Sequence, residues 1–303
     1  MKAIHIAHLA LALILLAGCD SLQQEVDPSK IPTATAKLVV HSYISPQDTL
    51  LTVVVERPKA ILGEQSGTSF NRQYLSDATV ELSDGSRSVQ LPFSYQDQLY
   101  VLRASNLPIL AGRTYTLRVS APNYPATTAQ CTVPEAVVPT DIRVDSLIEN
   151  QFGQPRTIIY GRLYWNDKAG QPNYYRVMGR LRQTLLNAPN NSGDRTSFTF
   201  ESPLSFPEIT FTTDKNRDGE DFFSPRGEQN LYYSPTNPVV SSLLTMTLNN
   251  IDAESYRYYD AMRRQSSAGD NPFAEPVQVP TNIQNGLGCF GAFNQATRTV
   301  RVK

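Results

Sequence analysis

Histidine is nearly missing from this chain. Of 303 residues three are histidine, three are cysteine and one is tryptophan. His5 and His8 lie in a stretch that reads as a leader, so the mature chain keeps only His41. Zinc sites built on two or three histidines are thereby excluded, as is any His-Glu-x-x-His arrangement. A Ser-His-Asp or Cys-His triad would have to recruit His41. That residue sits in LVVHSYI, an alternating run that suits a half-buried strand position better than a catalytic base. Charge of one sign is missing too. The 27 basic and 28 acidic residues leave a net charge of −1 with no basic block, so nothing points to nucleic acid or lipid headgroups. No segment offers the roughly 20 consecutive apolar residues of a membrane-spanning helix.

The one sustained apolar run, from Ile4 to Leu16, has the length of a secretory leader's core and follows Lys2. It ends not in an Ala-x-Ala site but in Leu16-Ala17-Gly18-Cys19, which resembles the lipobox of bacterial lipoproteins. The expectation is a signal peptide over 1–18 and a lipid on the thiol of Cys19. Two or more acyl chains there would anchor the protein stably in a membrane. Residues 19–36 are polar, carry two prolines and read as a tether. Asp20, Glu25 and Asp27 are compatible with more than one sorting outcome, leaving the periplasmic and surface faces both open.

From Lys37 onward, short alternating runs separated by Gly, Pro, Asn and Asp argue for a mainly β protein. KLVVHSYI, LLTVVVE, ATVELSDG, SVQLPF, LYVLRA, TYTLRVSAP and TTAQCTVP predict a β-sandwich over 37–134. A long loop, KAILGEQSGTSFNRQYLSD, interrupts it. PEAVVPTD reads as a hinge, and 135–303 as a second β-sandwich domain with one short helix near 252–266. Asp252 is the expected N-cap, and Tyr256, Tyr259 and Met262 the expected sheet-facing residues.

DKNRDGED is the most metal-like motif. Asp214, Asn216 and Asp218 match positions 1, 3 and 5 of a calcium loop, but Pro225 stands where position 12 needs a bidentate acid. A solvated turn is the default reading, with no metal and no cofactor. Trp165 alternates in register with Ile159, Gly161 and Leu163, which places it in a core and not on a sugar platform. Cys131 and Cys289 are either a disulfide between the two domains or two buried thiols. Ser21, Thr49 and Ser146 each follow an aspartate and precede a leucine, a pattern resembling an O-glycosylation sequon of some bacteria.

KLVVHSYI, AGRTYTLRVSAPNYPAT, WNDKAGQPNYYRV, DGEDF and the long C-terminal stretch from DAESYRYYDAMRRQ to GLGCFGAF together resemble one family. It is domain of unknown function 4249, exported lipoproteins of Bacteroidota. The first domain is also similar to carboxypeptidase-regulatory-like sandwiches. The resemblance implies an outer-membrane lipoprotein, often encoded beside TonB-dependent transporters, and supplies no catalytic residues. It also favours an unpaired, packed thiol at Cys289. The leading expectation is a non-catalytic accessory subunit of a TonB-dependent transporter, with 60–76 and 271–293 as contact segments. The alternative is a glycan-binding or adhesive protein with aromatics aligned on one sandwich face. A hydrolase would instead need two carboxylates converging in a cleft.

Overall fold

The computed structural model describes residues 37–302 apart from 59–72, 152, 190–191, 208–209, 232–236, 269–274 and 276. Cys19, Ser21, the leader and most of the 60–76 loop lie outside the described residues, as does part of 271–293.

Alternation builds the first sandwich. In β1 (Leu38–Ile44) and β2 (Leu50–Glu56) every second residue is buried, since successive side chains of a strand point to opposite faces. β3 (Thr79–Ser83), β4 (Ser88–Leu91), β5 (Phe93–Ser94), β6 (Leu99–Arg103), β7 (Thr114–Ser120) and β8 (Thr127–Thr132) complete the set. One sheet runs β4-β3-β7-β8, and β1-β2-β6-β5 form part of the other. SVQLPF, read as one strand, is two. Pro92 lacks an N–H, and the chain changes sheets there: β4 pairs with β3, whereas β5 pairs with β6. The core between the sheets contains Leu38, Val40, Val53, Val80 and Leu117. It also buries two tyrosines whose hydroxyls pin loops. Tyr100 donates to the Leu75 carbonyl and accepts from Ala78 N, while Tyr115 donates to the Pro108 carbonyl and accepts from Leu110 N. Each buried hydroxyl is thereby satisfied.

The second sandwich uses longer strands: β9 (Asp141–Gln151), β10 (Gln154–Asn166), β11 (Tyr174–Leu186), β12 (Ser197–Pro203) and β16 (Val239–Ile251). Short strands β13 (Phe211–Thr213), β14 (Asp221–Phe223) and β15 (Gly227–Leu231) fill its edges. β10 pairs with β9 on one side and with β14 and β15 on the other, opposite the sheet carrying β12-β11-β16. Trp165, 1% exposed, is at the centre of this core, stacked on Phe222 and edge-on to Tyr175. Leu163, Leu181, Leu244 and Met246 surround it.

The last strand, β17 (Gly286–Arg301), belongs to both sandwiches. Its first half pairs in parallel with β1, from Leu38 opposite Gly286 to Ile44 opposite Ala292. Its second half pairs antiparallel with β16. Ile283, Phe290 and Ala292 therefore lie in the first core although they come from the end of the chain.

The helix α1 spans Ala253–Ala268 and lies against β17 and β1. Asp252 caps it as expected, its Oδ1 accepting from Ser255 N at 2.7 Å. Tyr259 stacks on Tyr43 and Tyr256 tilts against Tyr174. Met262 departs from the expectation, being 41% exposed. The fully enclosed helix residues are Ser255 and Ala261, small enough for the helix to approach closely, and this rotates Met262 outward.

Candidate functional site

His41 faces α1 from the outer side of β1, its ring edge-on to Tyr258 at 5.7 Å. The parallel register sets Cys289 directly across from it. A cysteine beside a histidine invites a nucleophilic reading, but only the thiolate is reactive. Burial beneath α1 pushes the Cys289 thiol up to about 12, with the Asp252 charge adding to the shift. Cys131 is likewise held well above the ordinary thiol value by burial. Both cysteines are free, so the disulfide alternative is not realised.

The acidic loop gathers more than the sequence reading assigned to it. Carboxylate oxygens of Asp167, Asp214 and Asp218 all lie within 4.8 Å of one another, with Asp167 and Asp214 buried. Asp167 comes from the NDKAG turn after β10, a partner that linear spacing cannot show. Its Oδ1 accepts from the Tyr175 hydroxyl and its Oδ2 from Gly219 N. Asp214 Oδ2 accepts from Asn173 N at 2.7 Å, and both Asp218 oxygens accept from Gly170 N. Asn216 turns the backbone between them, with φ 67°. The carboxylates thus staple the 167–173 turn to the 214–219 turn. An open groove of about 770 Å³ runs alongside, lined by Tyr174, Tyr256, Asp214, Asn216 and Asp218 among others. Glycosidase carboxylates stand roughly 5–9.5 Å apart and need free lone pairs. These are closer and already engaged with backbone N–H groups.

Asp167, Asp214 and Asp218 are nevertheless the described residues that could hold a divalent cation. With no acid at position 12 and so many lone pairs already used, the affinity expected is that of weak extracellular modules, about 10⁻⁴–10⁻³ M. Calcium at about 0.1 mM should therefore raise the melting temperature only slightly, and Asp167→Asn should remove the gain. A stabilisation of several kcal/mol at micromolar calcium would mark a tight site and contradict this expectation.

The outward face of β10 carries the other concentration of chemistry. Ile159, Leu163 and Trp165 point into the core, so Tyr160, Arg162 and Tyr164 lie on the opposite, outward face, each half-buried. Phe223 of β14 lies beside Tyr164, and Arg143 of β9 lies opposite Arg162. A guanidinium stands over each ring: Arg143 over Tyr164 at 4.4 Å, Arg162 over Phe223 at 5.0 Å and Arg226 over Tyr160 at 3.7 Å. The same period of two that sends the apolar half of YGRLYW into the core specifies this outward half.

Of the sequon residues within the described structure, Thr49 is exposed in the turn after β1, and Ser146 is exposed on β9.

A family model described as Domain of unknown function (DUF4249) matches residues 23–299, and the chain belongs to that family. No curated protein matches it. Among solved structures, a chain described as "Biofilm associated protein - B domain" is similar at 7% identity, covering 88% of this chain and 86% of its own, with a TM-score of 0.16.

Proposed function

We propose that this member of the DUF4249 family is a non-catalytic interaction protein, held at the outer membrane by lipid on Cys19, and that it serves as an accessory subunit of a TonB-dependent β-barrel transporter. The observation that carries an interaction role is the Tyr–Arg–Phe face of β10 and its neighbours. Tyrosine and arginine are enriched at protein interfaces and dominate their hot spots, and here three of each kind of partner, ring and guanidinium, stand in contact on one partly exposed sheet face. The lipobox-like ending at Cys19 supports the anchor, and the family resemblance supports the transporter as partner.

Mild detergent extraction of native membranes, with cross-linking, should co-purify a TonB-dependent barrel with the chain through an interface of roughly 1,200–2,000 Å² or more. Cys19→Ser should abolish lipid modification and leave an unprocessed or soluble protein. Recovery of the native protein alone after cross-linking would remove the accessory reading. Membrane fractionation of Cys19→Ser as a processed lipoprotein would remove the anchor. A second reading, glycan binding, is favoured by one specific feature: Tyr160, Tyr164 and Phe223 align on a single sheet face, as a sugar platform requires.

A further inference from the structure

The outward face of β9 and β10 encloses a groove of about 290 Å³, lined by Arg143, Asp145, Tyr160, Arg162, Tyr164 and Arg226. That is room for roughly ten water molecules, the scale of one or two sugar rings. Three guanidiniums face it against one carboxylate. A guanidinium stacked on an aromatic ring is fixed in plane, and its N–H edge stays free to grip a planar anion with two parallel bonds. Arg143 spends one N–H on Asp141 Oδ2 at 3.3 Å. Arg162 and Arg226 make no hydrogen bond or ion pair among the described residues, only their ring contacts. The Nε of Arg162 is also sheltered from solvent without a partner. A sheltered donor without an acceptor costs stability, so an anion that supplies one is a favoured occupant.

We propose that this groove binds an acidic glycan, its carboxylate or sulfate held by the Arg162 and Arg226 edges and its sugar rings lying along the edges of Tyr160 and Tyr164. The proposal rests on the glycan-binding reading and adds the charge of the ligand. Charge complementarity selects the class: the lining carries an excess of two positive charges while the whole chain is close to neutral. The register explains how the groove is built. Arg162 lies opposite Arg143 and Tyr160 opposite Asp145, so rings and guanidiniums alternate along one strand pair.

The test titrates the full chain, in mild detergent, with galacturonate oligomers, dextran sulfate and uncharged dextran, using calorimetry at low and high salt. At least one acidic probe should bind tenfold or more tightly than dextran, with affinity falling as salt rises. Preference for galacturonate would assign a carboxylate, and preference for dextran sulfate a sulfate. Arg226→Gln with Arg162→Lys should lower acidic-probe affinity at least tenfold at an unchanged melting temperature, because glutamine removes one charge and lysine keeps its charge without the fork. Equal binding of dextran and the acidic probes would overturn the charge recognition while leaving a glycan-binding protein. Undiminished binding by the double variant would remove the ligand from this groove. Absence of binding to all three probes would sink both the proposal and the glycan reading beneath it.

Discussion

Gly288→Ala should destabilise the protein by about 3 kcal/mol, the largest loss expected from any single methyl group here. The backbone at Gly288 has φ +102°, a conformation that costs a residue with a Cβ roughly 1–2 kcal/mol. An added Cβ would also stand 2.1 Å from the Val40 carbonyl oxygen and 2.9 Å from its carbon. These are backbone atoms of the paired strand, which cannot rotate away, and overpacking of this sort adds roughly 1–3 kcal/mol. The methyl would force apart β1 and β17 in the parallel register that closes the first sandwich. Gly85 is the control: its φ is +87° but nothing lies within 4 Å of the added Cβ, so alanine there meets the conformational penalty alone. Urea melts of the two variants should differ by about 2 kcal/mol. Equal losses would show that Gly288 is needed only for its dihedral angle and not for the close approach of Val40.

Gly288 also shows where sequence reading stops. GLGCFGAF stands out as a glycine-rich stretch, yet its purpose depends on a strand some 250 residues away in sequence. Period-two alternation is local, so it marks LVVHSYI, LLTVVVE and TYTLRVS as strands, and in the structure every second residue of the first two is buried. The helix was equally legible, because an aspartate cap and an absence of proline act within a few residues. Pairing is not local. That Gly286–Ala292 runs parallel to β1, and that one strand then serves a second sheet, follows from closure of two cores and from no residue pattern. The carboxylate cluster failed to show for the same reason. Asp214 and Asp218 advertise themselves by spacing, whereas Asp167 joins them only because β13 pairs with β11 and β14 with β10, which sets the turn between β13 and β14 beside the turn between β10 and β11. The arginine–aromatic face was legible in principle. Once Trp165 is assigned to the core, the alternate residues Tyr160, Arg162 and Tyr164 must face outward, and only their guanidinium partners from β9 and the segment before β15 required the fold.

Asp252→Ala should cost about 3 kcal/mol and, beyond that, uncover a thiol. Asp252 Oδ1 caps α1 through Ser255 N at 2.7 Å, and Oδ2 accepts from Ala292 N at 2.8 Å. Its own N–H donates to the Ala292 carbonyl, so this residue ties the helix start to β17 by two bonds to Ala292 besides its cap. Alanine removes the cap, worth about 1 kcal/mol, and strands the N–H of a buried residue, worth roughly 1–3 kcal/mol more. Asparagine separates the two effects. Its single oxygen can serve Ser255, but its NH₂ would then confront the Ala292 N–H, so Asp252→Asn should recover the cap and not the tie. Burial raises the Asp252 pKa while its hydrogen bonds pull the other way. Its titrating contribution is therefore full below the ordinary value of 3.8 and is lost as pH rises through the raised one, so the gap between wild type and Asp252→Asn should be widest in acid. Loosening α1 also exposes what it covers, including the buried Cys289. If labelling proceeds through opening of the helix, a 3 kcal/mol loss borne locally speeds it by about a hundredfold. Thiol labelling at pH 8, followed on the peptide that carries Cys289, should show that acceleration in Asp252→Ala. Cys131, on β8 in the first core, should change less. Equal acceleration at both cysteines would mean that the whole sandwich opens together, and that Asp252 secures the domain and not the helix alone.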